Sequence, residues 1–234
     1  MKNRKKLFFS GIKDGIPIAL GYLSVSFAFG ISAVKSGISG LGAVFISATN
    51  LTSAGQVAGI EIIAAAGTLL EMAVTQFIIN LRYMLMSLSL SQKTDESFTL
   101  LDRLIISFGI TDEIFGVASS KHRIYPIYMY GLVLMPFVGW TCGTLLGAFA
   151  GEILPEALKS SLGLAIYGMF IAIIIPPAKK EKGVLLSIII AVALSFSLYY
   201  IPIFNFITEG FSIIICAVLS AGIAAYVQPI RESE

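Results

Sequence analysis

Three groups of residues in this chain have types and spacing suited to chemistry, and all three stand among apolar neighbours. The first is Asn50-Leu51-Thr52-Ser53-Ala54-Gly55-Gln56, which combines poor helix formers with several side-chain hydrogen-bonding groups. A helix broken at membrane depth exposes backbone N–H groups that bind anionic or zwitterionic solutes. Asn50, Thr52, Ser53 and Gln56 are therefore candidate solute-binding residues. The competing reading is an ordinary helix whose hydroxyls bond back to its own carbonyls. The second group centres on Glu71, inside the apolar run Ile62–Ile79. Thr75, Ile78 and Arg82 follow on the same helix face, and Gln76, Asn80 and Tyr83 form an adjacent stripe. A carboxylate within a membrane span is by default a functional-site hypothesis. Glu71 is thus a candidate for ion coupling and Asn80 for solute binding. Arg82, at the end of the run, suits a structural or gating role, or plain snorkelling. A structural carboxyl satisfied by a neighbouring helix competes as the account of Glu71. The third group is Thr111-Asp112-Glu113, which interrupts the apolar segment Leu104–Ser119. Lost hydration there favours a neutral carboxyl, and an ammonium alongside favours the ionised one. Asp112 and Glu113 are therefore candidates for ion coupling or ammonium binding. The alternative is a helix cap at the interface, with Thr111 as the N-cap.

Nothing in the chain supports an enzyme. It has no phosphate-binding glycine loop, no metal-ligand spacing and no nucleophile beside a base, so no catalytic residue, metal or cofactor is expected. Cys142 and Cys216 lie in apolar runs and read as small hydrophobes. His122 belongs to the basic triplet Lys121-His122-Arg123, which reads as an interfacial loop. Gly143, Gly147 and Gly151 recur at four-residue spacing, which lets helix backbones approach closely. The partner helix belongs either to this chain or to a second subunit. Pro136, in the same run, frees a backbone carbonyl and predicts a kink.

The elements that must position these residues follow from composition. Of 234 residues, 56% are hydrophobic and 13% charged, against about 25% charged in a soluble domain. That deficit suits lipid, where a charge at mid-bilayer costs roughly 2.5–3.5 kcal/mol on insertion scales. The chain therefore reads as an all-α, polytopic membrane protein: one transmembrane domain over residues 1–234, with a short basic tail over 1–13. Clear candidate spans are Ile16–Val34, Ile62–Ile79, Ile124–Ala150, Ser161–Ile175, Val184–Ile201 and Gly210–Val227. Leu41–Gly59 and Leu104–Ser119 are less clear, so the count is six to eight, with these two read as full crossings or as broken, re-entrant helices. The basic clusters at the N-terminus, Lys121–Arg123, Lys179–Lys182 and Arg231 place both termini in the cytoplasm. The Arg82–Arg103 region is outside if there are eight crossings and inside if there are six. A faint internal similarity pairs Pro17 and Gly21-Tyr22 with Pro136 and Gly139-Trp140; transporters often contain such repeats.

Several fragments, in order, resemble the AzlC family of branched-chain amino acid permeases: Gly15-Ile16-Pro17, Phe27-Ala28-Phe29-Gly30, Ser53-Ala54-Gly55-Gln56, Asn80-Leu81-Arg82 and Thr111-Asp112-Glu113. The chain departs from that pattern at Val57-Ala58, where the family pattern has a Gln-Phe pair. The resemblance implies a secondary carrier in the bacterial inner membrane, exporting leucine, isoleucine or valine, with methionine a further candidate. It also implies a small companion membrane protein of the AzlD type. The alternatives are a channel and a non-transporting assembly subunit.

Overall fold

The structure is a computed structural model that describes residues 2–151, 174–204 and 206–228, with Pro155, Gly168 and Ile171. Its named helices are α1 (Lys2–Lys35), α2 (Gly40–Thr49), α3 (Ser53–Ala64), α4 (Leu69–Ser91), α5 (Leu100–Phe108), α6 (Asp112–Ser119), α7 (Pro126–Ala150), α8 (Lys182–Tyr200) and α9 (Glu209–Val227). Pairing of extended backbone, among the described residues, is limited to one bridge between Thr94 and Ile124. Five of the described helices are long and apolar enough to cross a membrane: Arg4–Lys35, Leu69–Ser91, Pro126–Ala150, Lys182–Tyr200 and Gly210–Val227. Large apolar side chains such as Leu20, Phe45, Leu88, Leu100 and Phe196 are exposed. That surface suits lipid and would be a liability in water. The chain is a polytopic helical membrane protein.

One expected span is corrected. Ile62–Ile79 is not continuous, because α3 stops at Ala64 and α4 starts at Leu69. The stop is a Schellman motif. The Ala66 N–H reaches Ile63 O at 3.0 Å, the Gly67 N–H reaches Ile62 O at 2.8 Å, and Ala66 takes φ of 53°. Hydropathy cannot see this turn because Ala64-Ala65-Ala66-Gly67 is as apolar as a span. Gly37, at φ 86°, ends α1 in the same way. The expected span Ser161–Ile175 lies largely outside the described residues.

The chain divides into two compact units, Met1–Val57 with Ile79–Ala165, and Ala58–Ile78 with Ile166–Glu234. In the first, α1 and α7 run parallel at very close range. A Cβ on Gly139 would fall 2.5 Å from Ala19 O, and those on Gly143 and Gly147 would strike the backbone of Leu23 and Phe27. The offset is constant at 120 residues, so every fourth residue of one helix meets every fourth of the other. Gly11, Gly15 and Gly30 of α1 make the reciprocal approaches. The glycine ladder is thus taken up by this chain's own first helix, and its face is not left open for a second subunit. Pro136 is buried inside α7, and the carbonyl of Leu132, four residues earlier, turns toward Gly15. Pro17 lies well inside α1. The faint similarity of Gly21-Tyr22 to Gly139-Trp140 therefore falls on two helices of the same direction, with the Tyr22 and Trp140 rings edge-to-face at 5.2 Å.

Helices α5 and α6 form a hairpin that enters and leaves at one end of this unit. Its base is tied to the segment after α4. Lys93 Nζ donates to Ser119 O at 2.6 Å, the Asp95 N–H to Ile124 O at 2.8 Å, and the Ile124 N–H to Lys93 O at 2.9 Å. Arg123 pairs with Asp95 at 2.6 Å; bonds from Ser97 and then this cation hold the Asp95 carboxyl below its ordinary range. A capping box at Thr99 and Asp102 starts α5, and Tyr130 of α7 donates to Asp102 at 2.7 Å. Each arm has only nine or eight residues, about 14 Å at most, half of a hydrocarbon core of about 30 Å. Leu104–Ser119 is therefore not one continuous span but falls on two short helices that turn back at Gly109-Ile110-Thr111. The base of the hairpin lies at the same end as Asp14, whose carboxylate binds Lys121 at 3.0 Å and accepts from Tyr128 at 2.8 Å. That is the end of α1 from which the basic N-terminal tail extends.

In the second unit, Glu71 sits in the first turn of α4, not at mid-span, and is 2% exposed. Its Oε1 accepts the Gly210 N–H at 2.9 Å and the Thr208 hydroxyl. Thr208 is the N-cap residue of α9, so the Glu71 carboxylate closes the start of that helix, where the macrodipole favours negative charge.

Candidate functional site

Two interruptions of helix in the first unit meet side chains from the middle of α1, α4 and α7. The first is Asn50-Leu51-Thr52 between α2 and α3. Asn50 is extended at φ −141°, and Thr52 accepts the Gly55 N–H at 3.4 Å to start α3. The second is Gly109-Ile110-Thr111, the tip of the α5–α6 hairpin, where Thr111 accepts the Ile114 N–H as N-cap of α6. Tyr22 of α1 reaches this second tip. It lies eight residues beyond Asp14, about 12 Å further along the helix.

Gln56 braces the first break. Its amide Nε2 donates to Asn50 O and, at 3.4 Å, to Ile46 O, which binds the last turn of α2 to the first turn of α3. Its Oε1 accepts Trp140 Nε1 at 3.0 Å and Ser47 Oγ at 3.4 Å, and Ser47 in turn contacts Thr144 Oγ1 at 2.7 Å. Gln56 is 1% exposed, and both of its amide atoms are engaged. The geometry gives it a bracing role rather than an open donor for a solute.

From Thr52 the network continues outward. Thr52 donates to Asn80 Oδ1 at 2.9 Å and accepts from Tyr83 Oη at 3.2 Å. Tyr83 accepts from Arg82 Nη2 at 3.2 Å, with the guanidinium 4.9 Å from its ring centroid. Arg82 Nη1 pairs with Asp112 Oδ2 at 2.6 Å, and the two side chains are 35% and 34% exposed. Glu113, the next residue, accepts from Tyr22, whose hydroxyl also lies 2.7 Å from Thr111 Oγ1. The adjacent acids point apart, each to its own partner. Leu51, Tyr22 and Trp140, with Ile18, Val25 and Phe137, make the apolar wall beside the tips.

The structure thus brings together Asn50, Thr52, Gln56, Asn80, Arg82, Asp112 and Glu113. Ser53 stands at the start of α3 beside them. Thr111 is both N-cap and member of the network, so the cap reading and the functional reading describe one residue cluster. Glu71 belongs to the other unit, engaged as a helix cap. Gly143, Gly147 and Pro136 supply the close α1–α7 contact that holds Tyr22 against Trp140. Tyr22, Tyr83, Trp140 and Thr144 read in the sequence as ordinary span residues, whereas Ser47 opens the polar stretch that runs on to Gly59. Tyr83 had a signal through its place on the Gln76–Asn80 stripe, and Tyr22 and Trp140 through the faint internal similarity alone.

A cavity of about 370 Å³ lies on the hairpin-base side, between the end of α4, α5 and the start of α7. Met84, Leu88, Ile106, Ile110 and Met129 line it, with Ser91, Thr94 and Arg103. Its lining includes Ile110 of the hairpin tip and Met84, two residues after Arg82. No cluster of three or more metal-ligating side chains occurs among the described residues.

Comparison with known proteins gives a consistent picture. The sequence profile of the AzlC protein family matches residues 17–154, which include both interruptions and the whole network. The inner membrane protein YgaZ of Escherichia coli is 28% identical over 229 residues, covering 94% of this chain and 92% of YgaZ. A membrane protein of Archaeoglobus fulgidus is 30% identical over 179 residues, covering 76% of this chain and 78% of that protein. No solved structure matches. With membrane helices, a polar network at membrane depth and a family profile spanning it, the chain belongs to the AzlC family, membrane proteins of transporter type.

Proposed function

We propose that this chain is a secondary transporter of branched-chain amino acids, binding its solute at the two helix interruptions. The observation that carries the reading is the Arg82–Asp112 pair, about one-third exposed, placed among buried polar groups in apolar helices. Charged side chains at this depth face protein or a water-filled cavity and mark solute or ion pathways. The cavity on the hairpin-base side, which reaches Ile110 of the tip, supports an aliphatic solute. At about 370 Å³ it falls within the size range of small-ligand sites, and its walls are mostly Leu, Ile and Met.

In this reading Asn50, Thr52, Ser53 and Asn80 offer polar contacts to the amino acid head group. Asp112 and Glu113 face the ammonium or carry the coupling proton. Export across the bacterial inner membrane, with a small AzlD-type membrane protein as companion, completes the proposal. The test is counterflow of labelled leucine in proteoliposomes, with and without the companion. A carrier accumulates label transiently under zero net gradient and saturates. Linear, non-saturating flux would mean a channel, and absence of any flux with the companion present would mean a non-transporting subunit.

A further inference from the structure

Arg82 has one edge that the protein only half satisfies. Nη1 is held by Asp112 at 2.6 Å, and Nη2 donates to Tyr83 at 3.2 Å. Nε is buried and has no hydrogen-bond partner. Buried donors of a native protein are normally satisfied, so an orphan on a cation is a place where an acceptor is missing. Nε and Nη2 together form a side of the guanidinium fork whose spacing matches the two oxygens of a carboxylate. The other places that could receive an anion are less suited. The start of α6 carries Asp112 and Glu113 in its own first turn, and Gln56 has no amide hydrogen-bonding capacity left open to a solute.

We infer that the Nε–Nη2 edge of Arg82 is the receptor for the α-carboxylate of a zwitterionic amino acid, a specificity-determining contact for the transport proposed above, on which this inference rests. The incoming carboxylate takes the long Tyr83 contact on Nη2 and supplies the missing acceptor on Nε. Tyr83 keeps Thr52 as its partner. Asp112 stays on Nη1, and its carboxylate is the partner proposed for the solute ammonium, while Glu113 remains with Tyr22. Arg82 thereby distinguishes α-amino acids from the corresponding amines and amides.

The test uses the protein with its companion in proteoliposomes and measures inhibition of labelled leucine exchange by leucine and by leucinamide, which lacks the carboxylate. In the wild type, leucinamide should inhibit about 100-fold more weakly or worse, as a polar site rejects an analogue that leaves its donors unpaired. Arg82→Lys keeps the charge and loses the fork; it should raise the apparent KM for leucine about 10–100-fold and narrow the gap between leucine and leucinamide. Asp112→Asn breaks the ion pair but keeps the fork, so the preference for leucine should persist even where the rate falls. Equal loss of preference in both variants would mean that Arg82 matters only as the partner of Asp112, which overturns the inference. So would a wild type that exchanges leucine and leucinamide alike, although transport would stand. A wild type that exchanges neither overturns both readings.

Discussion

At the residue scale, the site depends on side chains that never need to touch a solute. Gln56 is the clearest case, because its single amide ties two helix ends to Trp140 and Ser47. Gln56→Leu preserves approximate volume and removes every one of those bonds. Each orphaned buried group costs about 1–3 kcal/mol, so the variant should melt earlier in detergent and lose Vmax while the apparent KM of the residual activity changes little. A large KM change at unaltered stability would instead make Gln56 a solute ligand. The acids should separate from one another. Asp112→Asn removes a charge paired with Arg82, whereas Glu113→Gln keeps an acceptor for Tyr22. Gradient-driven transport should fall at least about 10-fold in the first, as expected when one partner of a partly buried pair is removed, and less in the second. If both transport normally across a range of pH, the pair is a helix cap and nothing more. Legibility followed polarity here. Asn50, Gln56, Asp112 and Glu113 stood out as polar residues in apolar runs, while Tyr22, Tyr83 and Trp140 look like any lipid-facing aromatic until their partners are known.

At the scale of elements, the α1–α7 contact sets the depth at which Tyr22 and Trp140 meet, and glycine is what permits it. Gly147→Leu places a side chain against the Phe27 backbone. Overpacking of that kind costs about 1–3 kcal/mol or more, so the helices should separate and transport should be lost along with thermal stability. Gly222 of α9 is the matched control, because a Cβ there meets nothing within 4 Å. Gly222→Ala should be neutral or stabilise by up to about 1 kcal/mol, as read from the melting temperature. The two short-armed interruptions are as distinctive as the long helices. A hairpin arm of nine residues cannot cross, and it leaves polar ends at depth only because α1, α4 and α7 surround them with hydrogen-bonding partners.

On the scale of the whole molecule, the position of the hairpin base decides sidedness. The segment after α4 joins the base of the α5–α6 hairpin and the starts of α6's exit and α7, at the end of α1 that carries the basic tail. With that tail in the cytoplasm, as the distribution of basic clusters suggests, residues 92–99 are cytoplasmic too. Cys142 and Cys216 are free thiols and would first be replaced. Ser97→Cys should then react with a membrane-impermeant maleimide in inside-out vesicles and stay unlabelled in right-side-out ones. With the tail in the cytoplasm, the opposite pattern would favour eight full crossings and contradict the hairpin.

Composition and hydropathy alone determined that this chain lives in a membrane, because burying so few charges and so many apolar side chains leaves no other solvent for its surface. They also located the two interruptions, since polar residues and poor helix formers persist at membrane depth only where they have a use. Three matters needed the tertiary structure. The turn at Ala64–Gly67 is invisible to hydropathy because alanine and glycine score as span residues whichever way the backbone bends. The role of the glycine ladder rests on which helix fills it, and four-residue spacing is the same for an internal and an external partner. The division of labour among the carboxylates depends on what lies opposite each one: Arg82 for Asp112, Tyr22 for Glu113, the start of α9 for Glu71. A carboxylate's chemistry is set by its neighbours in space, and those partners lie 30, 91 and about 139 positions away along the chain.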